Sequence, residues 1–332
     1  MQQGVYKFPA TEKVVFGRPV SEVVPELAAE LGKTRLMIVA SKTLNRKTPV
    51  ISTLKAALGD TCIAVYDECI EHSPRADVLK LAARFKEVQP DLVVTVGGGS
   101  PMDTVKVALC CLAEDITDVA GFDRIRISLG PDGKRNVPAV RNPPFRQIIV
   151  PTTLSGAEFG SAAGVTDPVR KVKDLYSARY VGAQVIVLDP AITVHTPEHL
   201  WLSTGIRSLD HAVETICSRQ PQPFTDASCL HGLTLLSRAL RAVRKNPSNV
   251  AARLDCQLGV WLACAGIGQI DWGASHGIGH QLGAVAGVPH GHCSCVMLPS
   301  VLRYNHSVTA ERQSWIANAM GRPNMSAADA VA

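Results

Sequence analysis

The stretch "DLVVTVGGGSPMDTVKVAL" (residues 91–109) limits the fold more than any other part of the chain. A β-branched run ends in Gly97, Gly98 and Gly99, and Ser100 and Pro101 then open a helical pattern. A serine cap followed by proline at the first helical position is a common way to start a helix. Three residues without side chains let backbone N–H groups approach an anion, and the helix N-terminus adds a partial positive charge. Strand, glycine turn and capped helix together read as a phosphate cradle in a parallel α/β sheet, although the same residues also suit a tight turn without a ligand. Asp103 and Lys106 follow on the helix, where a solvated face competes with a cofactor-binding role for Asp103.

The surrounding sequence fits that frame. "TRLMIVA" (34–40), "CIAVYD" (62–67), "DLVVTVG" (91–97) and "FRQIIV" (145–150) read as short buried strands bordered by Gly, Pro or polar residues. "SEVVPELAAELG" and "SPRADVLKLAARFKEVQ" have helical spacing, with Ser21 and Ser73 as expected caps and Gly32 at a helix end. Alternating strands and helices imply a mostly parallel sheet covered on both faces. From about residue 196 only amphipathic helices follow, so the predicted division is an α/β domain over 1–190 and an all-helical domain over 191–332. Residues 114–144, rich in Gly, Pro and charge, read as a surface excursion.

Composition excludes several classes of protein. A chain of 332 residues with 46% hydrophobic and 19% charged residues is an ordinary packed globule, long enough for two domains. A net charge of +5 without a basic, aromatic-studded run argues against nucleic acid as a partner. No segment reaches the roughly 18 uninterrupted apolar residues of a membrane span, and the N-terminus lacks a signal-like apolar core. A cytoplasmic protein is expected. Most of the ten cysteines lie in apolar periodic segments and suit a reduced core better than a disulfide framework.

Chemistry concentrates in the second half. "TGIRSLDHAVE" (204–214) places Arg207 and His211 four residues apart on one helix face. "SHGIGHQLGAVAGVPHGHCSC" adds His276 and His280 at the same spacing, then His290 where "VPHG" suggests a turn. Three neutral imidazoles can form a transition-metal site. His292, Cys293 and Cys295 would make a local zinc clamp only with a second pair of ligands, which the sequence lacks. In "VPTTLSGAEFGS" (150–161), Thr152, Thr153 and Ser155 offer hydroxyls to a diphosphate or a carboxamide, against the plainer reading of an ordinary turn.

In order, "VTVGGGSPMDTVK", "IIVPTT", "VIVLDP", "GIRSLDHAVE", "SHGIGHQLG" and "VPHGHCSCVMLPSVLRYN" resemble the signatures of the iron-containing (group III) alcohol dehydrogenase superfamily. The likeness runs from near residue 16 to Asn305. It implies a dinucleotide-binding domain, a helical domain, hydride transfer between NADH or NADPH and a small carbonyl compound or alcohol, and a homodimer. Gly97, Gly98, Gly99 and Ser100 match the pyrophosphate loop, and Thr152 and Thr153 the second cofactor loop. His211, His276 and His290 match metal-ligand positions, and His280 matches the histidine that assists proton transfer. Family members continue for several tens of residues past the match to Ala332, so a shortened chain, with activity lost if it is truncated, is one expectation.

The departures carry information too. Where the family has a ligating aspartate four residues before His211, this chain has Arg207; Asp210 points about 100° away round the helix. A unit charge pair at roughly 4 Å and an effective dielectric near 20 is worth about 4 kcal/mol, so a divalent ion beside a guanidinium meets about twice that in repulsion. The shortened loop "TTLSGAEF" is similar to that of the metal-independent maleylacetate reductases, which reduce an unsaturated keto diacid. The expectation is a carbonyl reductase without a catalytic metal, in which Arg207 acts as electrophile or carboxylate anchor and His280 or His276 delivers the proton. The alternatives are a metal-dependent alcohol dehydrogenase and an inactive nucleotide-binding relative; the plain reading of Arg207 is a surface pair with Asp210 or Glu214. The family's ribose-binding aspartate matches Ser41, with Lys42, Arg46 and Lys47 close behind, which predicts that NADPH is accepted at least as well as NADH.

Overall fold

The computed structural model describes residues 3–332, except for the side chains of Ala284 and His290. The chain divides into two compact units: Pro9–Thr152 with Ala157–His195, and Met1–Phe8 with Thr153–Gly156 and Thr196–Ala332.

The first unit is built on a six-stranded parallel sheet. Its strands are β1 (Lys13–Phe16), β2 (Leu36–Ala40), β3 (Cys62–Tyr66), β4 (Leu92–Gly97), β7 (Gln147–Pro151) and β10 (Ala183–Leu188), in the order β1-β10-β7-β4-β2-β3. Two short hairpins complete the strands, β5 (Ser128–Leu129) with β6 (Arg135–Asn136) and β8 (Ala162–Asp167) with β9 (Val172–Ser177). Successive side chains of β2 point to opposite faces, as in any strand. Met37 and Val39 pack with Val78, Leu81 and Phe85 of α4 (Arg75–Val88) and with Val105 and Leu109 of α5 (Gly99–Ala113). Leu36 and Ile38 pack with Val24 and Leu27 of α1 (Val20–Glu30) and with Ile51 and Leu54 of α3 (Val50–Leu58), while α2 (Lys42–Lys47) follows β2 directly. Helices on both faces explain why the central strands read as unbroken apolar runs.

Several sequence expectations need correction. Pro19 and Pro74, not Ser21 and Ser73, cap α1 and α4, because proline already holds the extended cap conformation (φ −60° and −61°). Ser100 lies in the first turn of α5, whose N-cap is Gly98. The 114–144 excursion is anchored by buried Ile116, Phe122 and Ile125. The hairpin β8–β9, not legible in the sequence, is pinned by buried Arg75, whose guanidinium reaches Asp174 at 2.8 Å, Asp167 at 3.2 Å and the Tyr176 hydroxyl at 3.1 Å.

The second unit is helical: α6 (Glu198–Ile216), α7 (Pro223–Lys245), α8 (Val250–Ala263), α9 (Ala274–Ala286), α10 (His290–Ala319) and α11 (Ala327–Val331). Trp201, Leu209, Val213 and Ile216 bury one side of α6. His290 begins a 30-residue helix rather than a turn. Among the described residues, no helix is long and apolar enough to cross a membrane.

Candidate functional site

The glycine loop of the sheet unit is a backbone site. β4 hands over at Gly97 to α5, whose N-cap Gly98 makes no side-chain capping bond, so the first-turn N–H groups are left for a ligand. A Cβ on Gly97 would lie 3.0 Å from Pro101 Cγ and 3.6 Å from the Ser41 nitrogen. An uncapped helix start behind a residue with no room for a side chain fits a pyrophosphate. Ser41 stands at the end of the neighbouring strand, where its hydroxyl accepts from Leu44 N–H and caps α2. Of the three cations after it, Lys42 and Lys47 are exposed, but Arg46 is held by Asp67 at 2.7 Å. That ion pair, with Asn45 donating to the same carboxylate, keeps Asp67 below the usual carboxylate range.

Other candidates in this unit are already occupied by the fold. Asp103 accepts from Gly164 N–H at 3.2 Å, and the Ser100 hydroxyl accepts from His72 N–H at 3.3 Å. Lys106, for which a solvated face was one of two open readings, is fully buried and donates to the carbonyls of Ala157 (2.6 Å) and Ala162 (3.2 Å). Burial pushes Lys106 down, opposed by Asp103 and Glu158, and pushes Glu158 up to about 7. Thr152 is buried and its N–H donates to the Gly97 carbonyl, tying the second loop to the glycine loop.

The helical unit carries a side-chain site. Arg207, Asp210, His211 and Glu214 recur at i, i+3, i+4 and i+7 on α6, one polar stripe on a buried helix. Thr153–Gly156 belong to this unit; Leu154 N–H donates to the Thr204 hydroxyl, and the Ser208 hydroxyl donates to the Leu154 carbonyl. The Thr153 hydroxyl donates to that of Ser155 at 3.4 Å.

Arg207 is only 6% exposed, which removes the reading of a surface ion pair. Its Nη1 donates to the Ser294 hydroxyl at 3.1 Å and its Nη2 to His280 Nε2 at 3.3 Å, while Asp210 lies 3.8 Å away. A guanidinium has no acceptor, so His280 must present a bare Nε2 and carry its ring proton on Nδ1. Burial lowers the Arg207 pKa, opposed chiefly by Asp210; burial raises that of Asp210, opposed by Arg207.

Behind this pair lies a string of proton-bearing groups. Glu214 Oε2 meets His276 Nδ1 at 2.7 Å, and His276 Nε2 meets His211 Nδ1 at 2.9 Å. Trp272 stacks on the His276 ring with centroids 4.3 Å apart. Asp210 accepts from the Ser275 hydroxyl at 2.8 Å. Burial first and the charge of Arg207 second push His211 far below an ordinary imidazole. Burial and then Asp210 raise Glu214 to about 7 against three backbone N–H donors. The side chain of His290 lies outside the described residues.

Residues 11–190 match the profile of iron-containing alcohol dehydrogenase, and residues 201–332 match that of the C-terminal part of the Fe-containing alcohol dehydrogenase family. The chain belongs to the iron-containing alcohol dehydrogenase family. It is an oxidoreductase. The dehydrogenase ALT3 of Alternaria alternata is 36% identical over 289 residues, covering 82% of this chain and 73% of that protein. A maleylacetate reductase of Pseudomonas sp. (strain P51) is 24% identical over 312 residues, covering 94% and 78%. The crystal structure of sulfoacetaldehyde reductase from Bifidobacterium kashiwanohense, in complex with NAD+, shares the fold with a TM-score of 0.86 at 23% identity, covering 100% of this chain and 85% of that one.

At the positions that match the family's metal ligands, the side chains are engaged with one another. His211 and His276 spend facing nitrogens on each other, and a buried guanidinium stands where the fourth ligand belongs. Glu214, Asp210, Ser275, Ser294 and Trp272 were not recognised in the sequence as parts of the site. The first two were legible in principle, because a four-residue polar stripe on an otherwise apolar helix signals a buried network.

Proposed function

We propose that this oxidoreductase reduces a carbonyl compound bearing a carboxylate, with NADH or NADPH as reductant and with Arg207 in place of a catalytic metal. The observation that carries this reading is the buried Arg207 guanidinium at the family's aspartate position, bonded to Ser294 and His280. A guanidinium aimed from a desolvated site binds a carboxylate or a developing alkoxide through charge-assisted bonds, and so does the electrophilic work of an ion. In carbonyl reduction one hydride adds to the carbonyl carbon and one proton to its oxygen. The bound reduced nicotinamide supplies the hydride, and Gly97–Ser100 would hold its pyrophosphate. The proton would travel along the Glu214–His276–His211 string, whose His211 end also bonds the Ser155 backbone; His280, with Nε2 turned to Arg207, would orient the guanidinium.

A second reading, a metal-dependent alcohol dehydrogenase, is favoured by one observation: ligand atoms of Asp210, Glu214 and His276 lie within 4.8 Å of one another. Arg207 at 3.8 Å from Asp210 weighs against it. The test is a panel of keto acids, including an unsaturated keto diacid, beside neutral aldehydes, with NADH or NADPH consumption as the readout. Turnover confined to the acids and unaffected by chelator is expected. Turnover of neutral aldehydes alone, or none with any substrate, would contradict the reading.

A further inference from the structure

We propose that Glu214 is the positioning residue of the histidine pair: from α6 its carboxylate caps α9 and fixes the ring of His276. This rests on the reading that His276 and His211 form the proton path.

A helix start leaves backbone N–H groups without partners, and the N-cap side chain normally answers one of them. The N-cap of α9 is Gly273, which has no side chain to offer. Glu214 takes its place from a different helix. Its Oε2 accepts from Gly273 N–H at 2.9 Å and its Oε1 from Ser275 N–H at 2.8 Å. The same Oε2 meets His276 Nδ1 at 2.7 Å, so one carboxylate holds both the start of α9 and the ring that α9 carries.

Gly273 fits this arrangement by its size. A Cβ there would lie 2.7 Å from Glu214 Oε1 and 3.1 Å from its Cδ, so the glycine leaves the space that the carboxylate fills. The consequences run along α9. With Nδ1 committed to Glu214, His276 has only Nε2 to turn to His211; one turn further on, His280 reaches Arg207. A carboxylate that slipped off the helix start would free the His276 ring and let α9 shift both contacts together. Trp272, stacked on His276 just before the cap, closes the other side of the ring.

The test uses Glu214→Gln, Glu214→Asp and Gly273→Ala in the full chain. Glutamine keeps the shape but turns an N–H group toward a backbone N–H; aspartate keeps the charge but falls short; alanine pushes the carboxylate away. Each is expected to lower kcat by about 10- to 100-fold while KM for the cofactor stays within about threefold. Glu214→Gln with Gly273→Ala should be no worse than the poorer single variant, because both break one interaction. Independently of turnover, 15N-histidine NMR of the protein without substrate should show the His276 Nδ1 signal displaced in Glu214→Gln and in Gly273→Ala. That readout stands even where the reductase reading fails. Unchanged histidine signals, additive losses, or a drop in Tm with kcat per folded enzyme intact would overturn the proposal.

Discussion

Lys106 in the sheet unit and Arg207 in the helical unit are both buried cations, and they do different work. Lys106 points two of its three ammonium donors at backbone carbonyls, holding the segment 157–162 on α5. Arg207 points its guanidinium at side chains, and among the described residues two of its five donors are taken. A cation answered by fixed carbonyls secures a loop; under the proposed function, one answered by a hydroxyl and an imidazole meets an anion that arrives later. Position and chemistry around a buried charge, rather than the burial itself, separate structure from function.

The largest expected effect would sharpen that contrast. Arg207→Ala should lose about 2 to 4 kcal/mol of transition-state stabilisation in kcat/KM, with the Kd for cofactor near normal. Wild-type turnover in the variant would put Arg207 in the same class as Lys106.

Next comes the pH dependence of the sheet unit, set by Glu158 near Lys106. Its folded-state pKa, raised by burial to about 7 from an ordinary 4.5, means that the folded chain holds a proton that the unfolded chain has already lost. Stability therefore falls as pH rises from 4.5 to about 7. Glu158→Gln should remove this loss, worth up to about 3 kcal/mol above the window. Lys106, lowered by burial, acts with the opposite sign, adding stability as pH rises toward its unfolded value of 10.5. Denaturant melts of both proteins at a series of pH values decide the matter; parallel curves would show that Glu158 titrates normally.

The smallest effect concerns cofactor choice. Serine at position 41 removes a repulsion from the 2′-phosphate, but Arg46 is spent on Asp67, leaving Lys42 and Lys47 as the nearby exposed cations. NADPH is expected to be used at least as well as NADH on one substrate. A preference for NADH beyond about tenfold, roughly 1.4 kcal/mol, would show that Ser41 does not read the ribose.

The two regions also differ in how far the sequence revealed them. The glycine loop is made of neighbours in the chain, so β4, its turn and α5 were readable from residues 91–109, apart from the identity of the cap. Strands β1 and β10 and the hairpin β8–β9 were not read as such; β1 is four residues long, and β9 carries Lys173 and a buried Asp174 within six residues. The helical site depends on α6, α9 and α10 meeting. Arg207, His211 and His276 were visible as residue types at helical spacing, but the partner of each ring nitrogen was not. His280 drew attention as a proton donor, and its contact with Arg207 through Nε2 was not foreseen. The polar stripe on α6 could have marked Glu214 as buried, but not that its partners are N–H groups at the start of another helix.

The measurement that bears most directly on Arg207 is metal content alongside turnover, for the wild type and for R207D, each incubated with Fe2+ or Zn2+ and then desalted. The wild type is expected to keep well under a tenth of an equivalent and to turn over unchanged in chelator, while R207D gains metal by restoring the family's anionic ligand. About one equivalent in the wild type, lost together with activity on chelation, would contradict a guanidinium in the metal's place.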